Sequence, residues 1–219
     1  MNIAQELAEK QGLAPSLKIL LILTIVGLLP AIILATTSFV RIIVVLSFIR
    51  QGVGLAQTPP NQVLIGLALF LTAFTMSPVF GEMKRVAYEP YVAGKVSEVE
   101  ALELASGPLK LFMLRQTREA DLRLFYEATQ TQLPKTPEDV SLRLAAPAFV
   151  ISELTTAFQM GVVILLPFLI VDLAVSSLLM SMGMMMVPPT TLSLPIKLVL
   201  FVLVDGWNLV AGSLLRSFA

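Results

Sequence analysis

The chain has 219 residues, 56% of them hydrophobic and 14% charged, with mean hydropathy +0.85. That is too apolar for a soluble domain of this size and too short for a large multi-domain enzyme. Fifteen basic residues balance fifteen acidic ones, so no basic footprint for nucleic acid exists, and the absence of cysteine and histidine removes disulfides, HExxH metal sites and Ser-His-Asp or Cys-His catalysis.

Membrane-associated helices are the class that remains. Met1 to Lys18 carries Glu6, Glu9, Lys10 and Lys18. The apolar run after it is longer than a signal-peptide core and lacks a small-x-small end, so no removable leader is expected here. Ile19 to Val40 is uncharged and contains Pro30. It matches the ~20 residues that cross a bilayer core. The run continues past Arg41 to Ile49, and Pro30 is expected to kink it. Gln51 to Asn61 is a connector in which Gly52-x-Gly54 reads as a hinge or turn. Thr58 before Pro59 and Pro60 reads as a helix cap. A second apolar helix is expected from about Gln62 to Phe80, with Pro78 near its end.

Composition changes at Glu82, and the charged segment to Arg143 reads as a water-exposed helical lobe. Ser97 with Glu100 three residues later is a capping box that starts a short acidic helix, expected to break at Gly107-Pro108. Leu109 to Thr129 reads as the next helix, with Arg115, Glu119 and Arg123 at i,i+4 spacing. Leu111, Leu114, Leu122 and Phe125 fall on one side of it. Phe112 falls off that stripe, which suggests a partner contact or packing inside the lobe. Leu133 to Pro137 closes the lobe.

The third apolar run starts near Leu144, carries Glu153, and is uncharged from Leu154 to Val171 with Pro167 inside. Asp172 follows, and then the loop Met182-Gly183-Met184-Met185-Met186-Val187-Pro188-Pro189. Three adjacent Met side chains would spread around a helix instead of sharing a face, and each proline biases its predecessor to extended geometry. The fourth run, Thr191 to Phe218, contains Lys197 and Asp205. The expected fold is therefore all-α and membrane-associated. An N-terminal hydrophobic hairpin (1–81) and a C-terminal one (144–219, with the Met-rich loop at 182–189) flank a polar lobe (82–143). Leu28-Leu29-Pro30 and Leu165-Leu166-Pro167 hint at duplication of the kinked hairpins, as in transporters.

Arg41, Glu153, Asp172, Lys197 and Asp205 sit in or beside apolar runs, where a charge normally has a partner or faces water. Glu153 with Lys197 is the best complementary pair by type, either as an ion relay or as a buried pair that sets helix register. The Met cluster has three readings: adaptable packing, a soft Cu(I) site, or a deformable seal built from several copies. A metal site would call for spaced, convergent ligands with Cys or His. No nucleotide motif and no cofactor site is read.

Several long stretches resemble the FliP family, the flagellar branch of the type III secretion export-gate proteins. They are Thr37 to Val45 (TSFVRIIVV), Pro59 to Leu64 (PPNQVL), Phe112 to Leu122 (FMLRQTREADL), the Met loop, and Phe201 to Trp207 (FVLVDGW). The resemblance covers nearly the whole chain in order. It implies a non-enzymatic core subunit of the export gate: a pentamer that winds with FliQ and FliR into a conical helical assembly, alongside other membrane proteins of the flagellar export apparatus. The assembly sits in the basal body at the bacterial inner membrane and passes unfolded flagellar proteins. The polar lobe would be periplasmic, and the apolar helices would be largely lifted out of the bilayer. Met182, Met184, Met185 and Met186 would form the pore gasket. Glu153 and Lys197 would pair between subunits, and Phe112 and Phe125 would make lobe contacts. Flagellar members commonly carry a cleavable signal peptide, and none is read here. Two readings from other classes stay open: a secondary transporter for a small solute with Glu153, Asp172 and Lys197 as coupling residues, and a structural scaffold.

Overall fold

The computed structural model describes residues 15–55, 57–131, 134, 136, 139–184 and 186–218. The expected features at Met1 to Ala14, most of Leu133 to Pro137, and Met185 lie outside the described residues. Those described form α-helices and no strand. In chain order they are α1 (Pro15–Ala35), α2 (Phe39–Val53), α3 (Asn61–Met83), α4 (Glu89–Val92), α5 (Glu98–Gln116), α6 (Glu119–Ala128), α7 (Leu142–Ser181), α8 (Pro189–Leu203) and α9 (Gly206–Arg216). A π-helical turn, Lys84–Tyr88, joins α3 to α4, so one rod runs through the composition change at Glu82.

The main core is built on α2. Ile42, Val45, Leu46, Ile49 and Val53 recur at helical spacing and are buried against Leu64 and Ala68 of α3, Ala157 and Phe168 of α7, Phe201 of α8, and Val210 and Leu214 of α9. Helices α2 and α7 lie parallel: Arg41 meets Glu153, Phe48 meets Gly161, and Gly52 meets Leu165 and Phe168. Gly52 is therefore a close-packing position inside α2 and not a turn. A Cβ there would stand 2.7 Å from Leu165, while one on Gly161 would stand 2.4 Å from the Phe48 ring. Gly54 makes the actual turn, as the left-handed C-cap of α2 at φ 90°.

Other expected boundaries move. The first apolar run is not one helix kinked at Pro30. It breaks at Thr36–Ser38, and the flanking helices meet at 69°. Thr36 Oγ1 donates to the Ile32 carbonyl and Thr37 Oγ1 to that of Leu34, local bonds that compete with helix continuation. Thr58 does not cap α3; Pro60 holds that position, and the Asn61 side-chain oxygen accepts from Arg50. Pro108 does not end α5, which runs from its Ser97 cap to Gln116. The break comes at Thr117–Arg118, where the Arg118 N–H donates to Ser152 Oγ on α7 at 3.0 Å. A tertiary partner thus takes the amide that would have continued the ladder. It also separates Arg115 from Glu119, while Arg123 and Glu119 pair as expected at 2.7 Å. The last apolar run bends by 63° at Asp205, which adopts φ 49°.

Much apolar surface has no cover within the chain. From Ile19 to Ile33 every residue of α1 is exposed, as are Phe70 and Phe74 on α3 and Val163, Ile170 and Leu173 on α7. By length and composition the Asn61–Val92 rod and α7 are each able to cross a membrane, and two bent pairs, α1 with α2 and α8 with α9, could bring the number of spans to four. At about 1.5 Å per residue the 40 residues of α7 extend about 60 Å, twice the ~30 Å hydrocarbon core. Part of α7 therefore lies outside any bilayer it crosses.

Candidate functional site: a buried arginine hub and an exposed methionine loop

Arg41 projects from the first turn of α2 into the junction of the hydrophobic helices with the polar lobe, and it is 2% exposed. Its fork pairs with Glu153 of α7, which is fully buried: Nε donates to Oε2 at 3.0 Å and Nη2 to Oε1. Nη2 also donates to Gln116 Oε1 at the end of α5, at 3.0 Å. Nη1 donates to the Ser217 carbonyl at 2.8 Å and to Ser217 Oγ at 3.1 Å, just past α9. The Phe218 ring covers the guanidinium, 4.0 Å from Cζ to centroid. A guanidinium is the group for this place because its planar fork serves several acceptors at once. One residue thereby ties α2, α5, α7 and the turn after α9 together.

A second network adjoins it. Ser152, next to Glu153, donates to Asp121 Oδ2 of α6 at 2.6 Å and accepts from the Arg118 N–H. Arg118 Nε reaches the same carboxylate oxygen at 2.7 Å. These bonds hold the α5–α6 corner onto α7. Phe112 belongs to this junction. It packs on Phe149 and Phe218 at ring-centroid distances of 5.9 and 6.4 Å, inside a cluster with Met76 and Met113. Of the two readings of Phe112, a partner contact or packing inside the lobe, the single chain shows packing within itself, and Phe125 is half-buried.

The opposite end carries Lys197 and Asp172. Lys197 Nζ donates to Asp172 Oδ2 at 2.6 Å, joining α8 to α7. Within the chain Glu153 and Lys197 therefore do not pair: each has a nearer partner. Nineteen positions of α7 separate Glu153 from Asp172, about 28 Å at helical rise. Asp205 is exposed at the α8–α9 bend and is no buried charge. Beside Lys197 a groove of about 290 Å³ is lined by Val53 and Gly54 of the α2 end and by Thr190, Thr191, Ser193 and Leu194 of α8.

The Met loop connects α7 to α8 at this end. Helix α7 stops at Ser181, Gly183 turns the chain at φ 72°, and Pro188 leads into α8. Met182, Met184 and Met186 are exposed, Met186 at 98%. Among the described residues, the loop's thioethers are thus left uncovered on a hairpin whose two stems are fastened by Lys197–Asp172 and by the Phe168 and Phe201 rings, tilted at 42° with centroids 6.3 Å apart.

Gln116, Ser152, Asp121, Ser217 and Phe218 complete the hub and had escaped sequence reasoning. The only available signal was the TREAD segment, where Asp121 stands three residues after Arg118 at the start of a helix. Residues 22–214 match the sequence model of the FliP family. The chain is 49% identical to the flagellar biosynthetic protein FliP of Bacillus subtilis, over 96% of both chains. It is 53% identical to that of Pectobacterium carotovorum over 93% of this chain and 79% of the relative. With that of Caulobacter vibrioides the identity is 51% over 90% and 74%.

Proposed function

The chain belongs to the FliP family, and from that premise we propose that it is a pore-forming subunit of the flagellar protein export gate. Several copies surround an axis together with FliQ- and FliR-type partners in the bacterial inner membrane, and their Met loops close that axis. The polar lobe of α5 and α6 faces the periplasm. The work is mechanical and not enzymatic: an unfolded chain entering the axis separates side chains held only by weak, non-directional contacts.

The observation that carries this reading is the exposure of Met182, Met184 and Met186 at the tip of a fastened hairpin. Thioethers are flexible and polarizable, so they fit surfaces of changing shape. Apolar side chains left in water in a single chain are surfaces that assembly would cover. The uncovered faces of α1, α3 and α7 agree with a chain completed by neighbours and lipid. A small-solute transporter would need Glu153, Asp172 and Lys197 at one coupling site. They are divided between two closed pairs about 28 Å apart along α7, which argues against it.

Deleting Met184 to Met186 tests the seal. The assembly should still form, because the hub and the hairpin stems are untouched, and the membrane should leak ions and small solutes. Normal membrane tightness in a deletion variant that assembles fully would remove the Met loop from the gate.

A further inference from the structure

The Asp205-Gly206-Trp207 segment and the turn at Ser217–Phe218 stand at the two ends of α9, and neither takes part in the proposed seal. Asp205 holds a left-handed conformation with no side-chain cap on α9. Gly206 follows directly under the Phe201 ring: a Cβ there would lie 2.2 Å from it. Trp207 stands edge-on to that same ring at 5.3 Å. This elbow therefore sets the direction in which α9 leaves the stem of the Met-loop hairpin. Eleven residues on, α9 delivers the Ser217 carbonyl and hydroxyl to Arg41 and lays Phe218 over its guanidinium and against Phe112. Buried Val210 and Leu214 seat the helix on the core between these points.

We infer that α9 is a strut coupling the Met-loop hairpin to the arginine hub, with Phe218 and Ser217 as positioning residues for Arg41 and the 205–207 elbow as its pivot. The coupling does not depend on the gate reading. It follows from one short rigid helix being clamped at both ends to groups that belong to different parts of the chain. An 11-residue helix spans only about 16 Å and has no break of its own, so loosening one clamp shifts the other. The strut also explains why a chain with so few charged groups in its apolar helices presents an arginine to a backbone carbonyl. The Ser217 carbonyl lies beyond the last turn of α9, where no further helical amide is available to it.

The chain has a single tryptophan, and it sits in the elbow. Trp207 emission and acrylamide quenching are measured on the detergent-extracted assembly, with helical circular dichroism as the check on folding. Phe218→Leu removes the cation–π cover while keeping an apolar side chain, and Arg41→Lys removes the fork that reaches Ser217. Each should red-shift Trp207 emission and raise its quenching, and the double variant should shift no further than the larger single. Phe218→Tyr, which keeps a ring over the guanidinium, should restore the wild-type signal. Val140→Ala, a deletion in the separate cluster of Tyr126 and Ala145 away from α9, should lower stability without moving the Trp207 signal. Unchanged emission in folded Phe218→Leu and Arg41→Lys variants would overturn the strut. So would an equal shift in Val140→Ala, which would mean general softening.

Discussion

Arg41→Ala leaves the Glu153 carboxylate at 0% exposure with both of its guanidinium hydrogen bonds gone. Removing one side of a buried ion pair costs about 3–5 kcal/mol, because the remaining charge is enclosed without compensation. The Gln116 amide oxygen and the Ser217 carbonyl also lose donors. Both are half-buried and recover water, so they add little to that range. Against a typical total of about 5–15 kcal/mol this is a large fraction. On the scale of domains of roughly 150–250 residues it lowers the melting temperature by about 6–20 °C. Arg41→Met combined with Glu153→Leu removes both charges and keeps the volume filled, a replacement that is often neutral or stabilising. Thermal unfolding of the detergent-extracted assembly, followed by helical circular dichroism, should therefore place the double variant above Arg41→Ala. A double variant that melts no higher than Arg41→Ala would refute the reasoning that the pair is closed within one chain.

Gly161→Ala pushes a methyl to 2.4 Å from the Phe48 ring and should destabilise by about 1–3 kcal/mol through overpacking; Phe48→Leu should recover part of the loss in the same melting experiment. Asp205→Val should lower the melting temperature, since a β-branched side chain pays about 1–2 kcal/mol in the left-handed region, whereas Asp205→Gly should hold or raise it. Ser152→Ala strips a buried acceptor from the Arg118 amide and a donor from Asp121, at about 1–3 kcal/mol. Hydrogen exchange should report it as faster exchange at the start of α6.

The long elements were legible because their signals are local. Apolar runs, the Ser97 cap and the incompatibility of clustered Met and paired proline with a helix placed the start of α5 and the 182–189 loop. Proline was the misleading signal. Pro30, Pro78, Pro108, Pro147, Pro167 and Pro195 all lie inside helices, while the breaks fall at Thr36–Ser38, Thr117–Arg118 and Asp205. An interior proline costs one ladder bond, a loss that a long helix can carry without ending. The break at Thr36–Ser38 goes with local threonine bonds to the preceding turn, whereas that at Thr117–Arg118 is set by a tertiary bond, Arg118 N–H to Ser152, which no local pattern announces. The charge pairs were illegible for the same reason. With five isolated charges, type alone allows Glu153 to choose Arg41 or Lys197. The parallel packing of α2 on α7 decides for Arg41, 112 positions away in the chain.

The proposed seal requires thioethers from neighbouring copies to meet on a common axis. The chain has no native cysteine, so Met186→Cys introduces its only thiol, at a position 98% exposed in the single chain. Mild oxidation of the resting assembly in membranes should join copies through that position in high yield, and an exported chain held in the gate should reduce the yield. Thiols that label readily with a small maleimide yet never join one copy to another would contradict it.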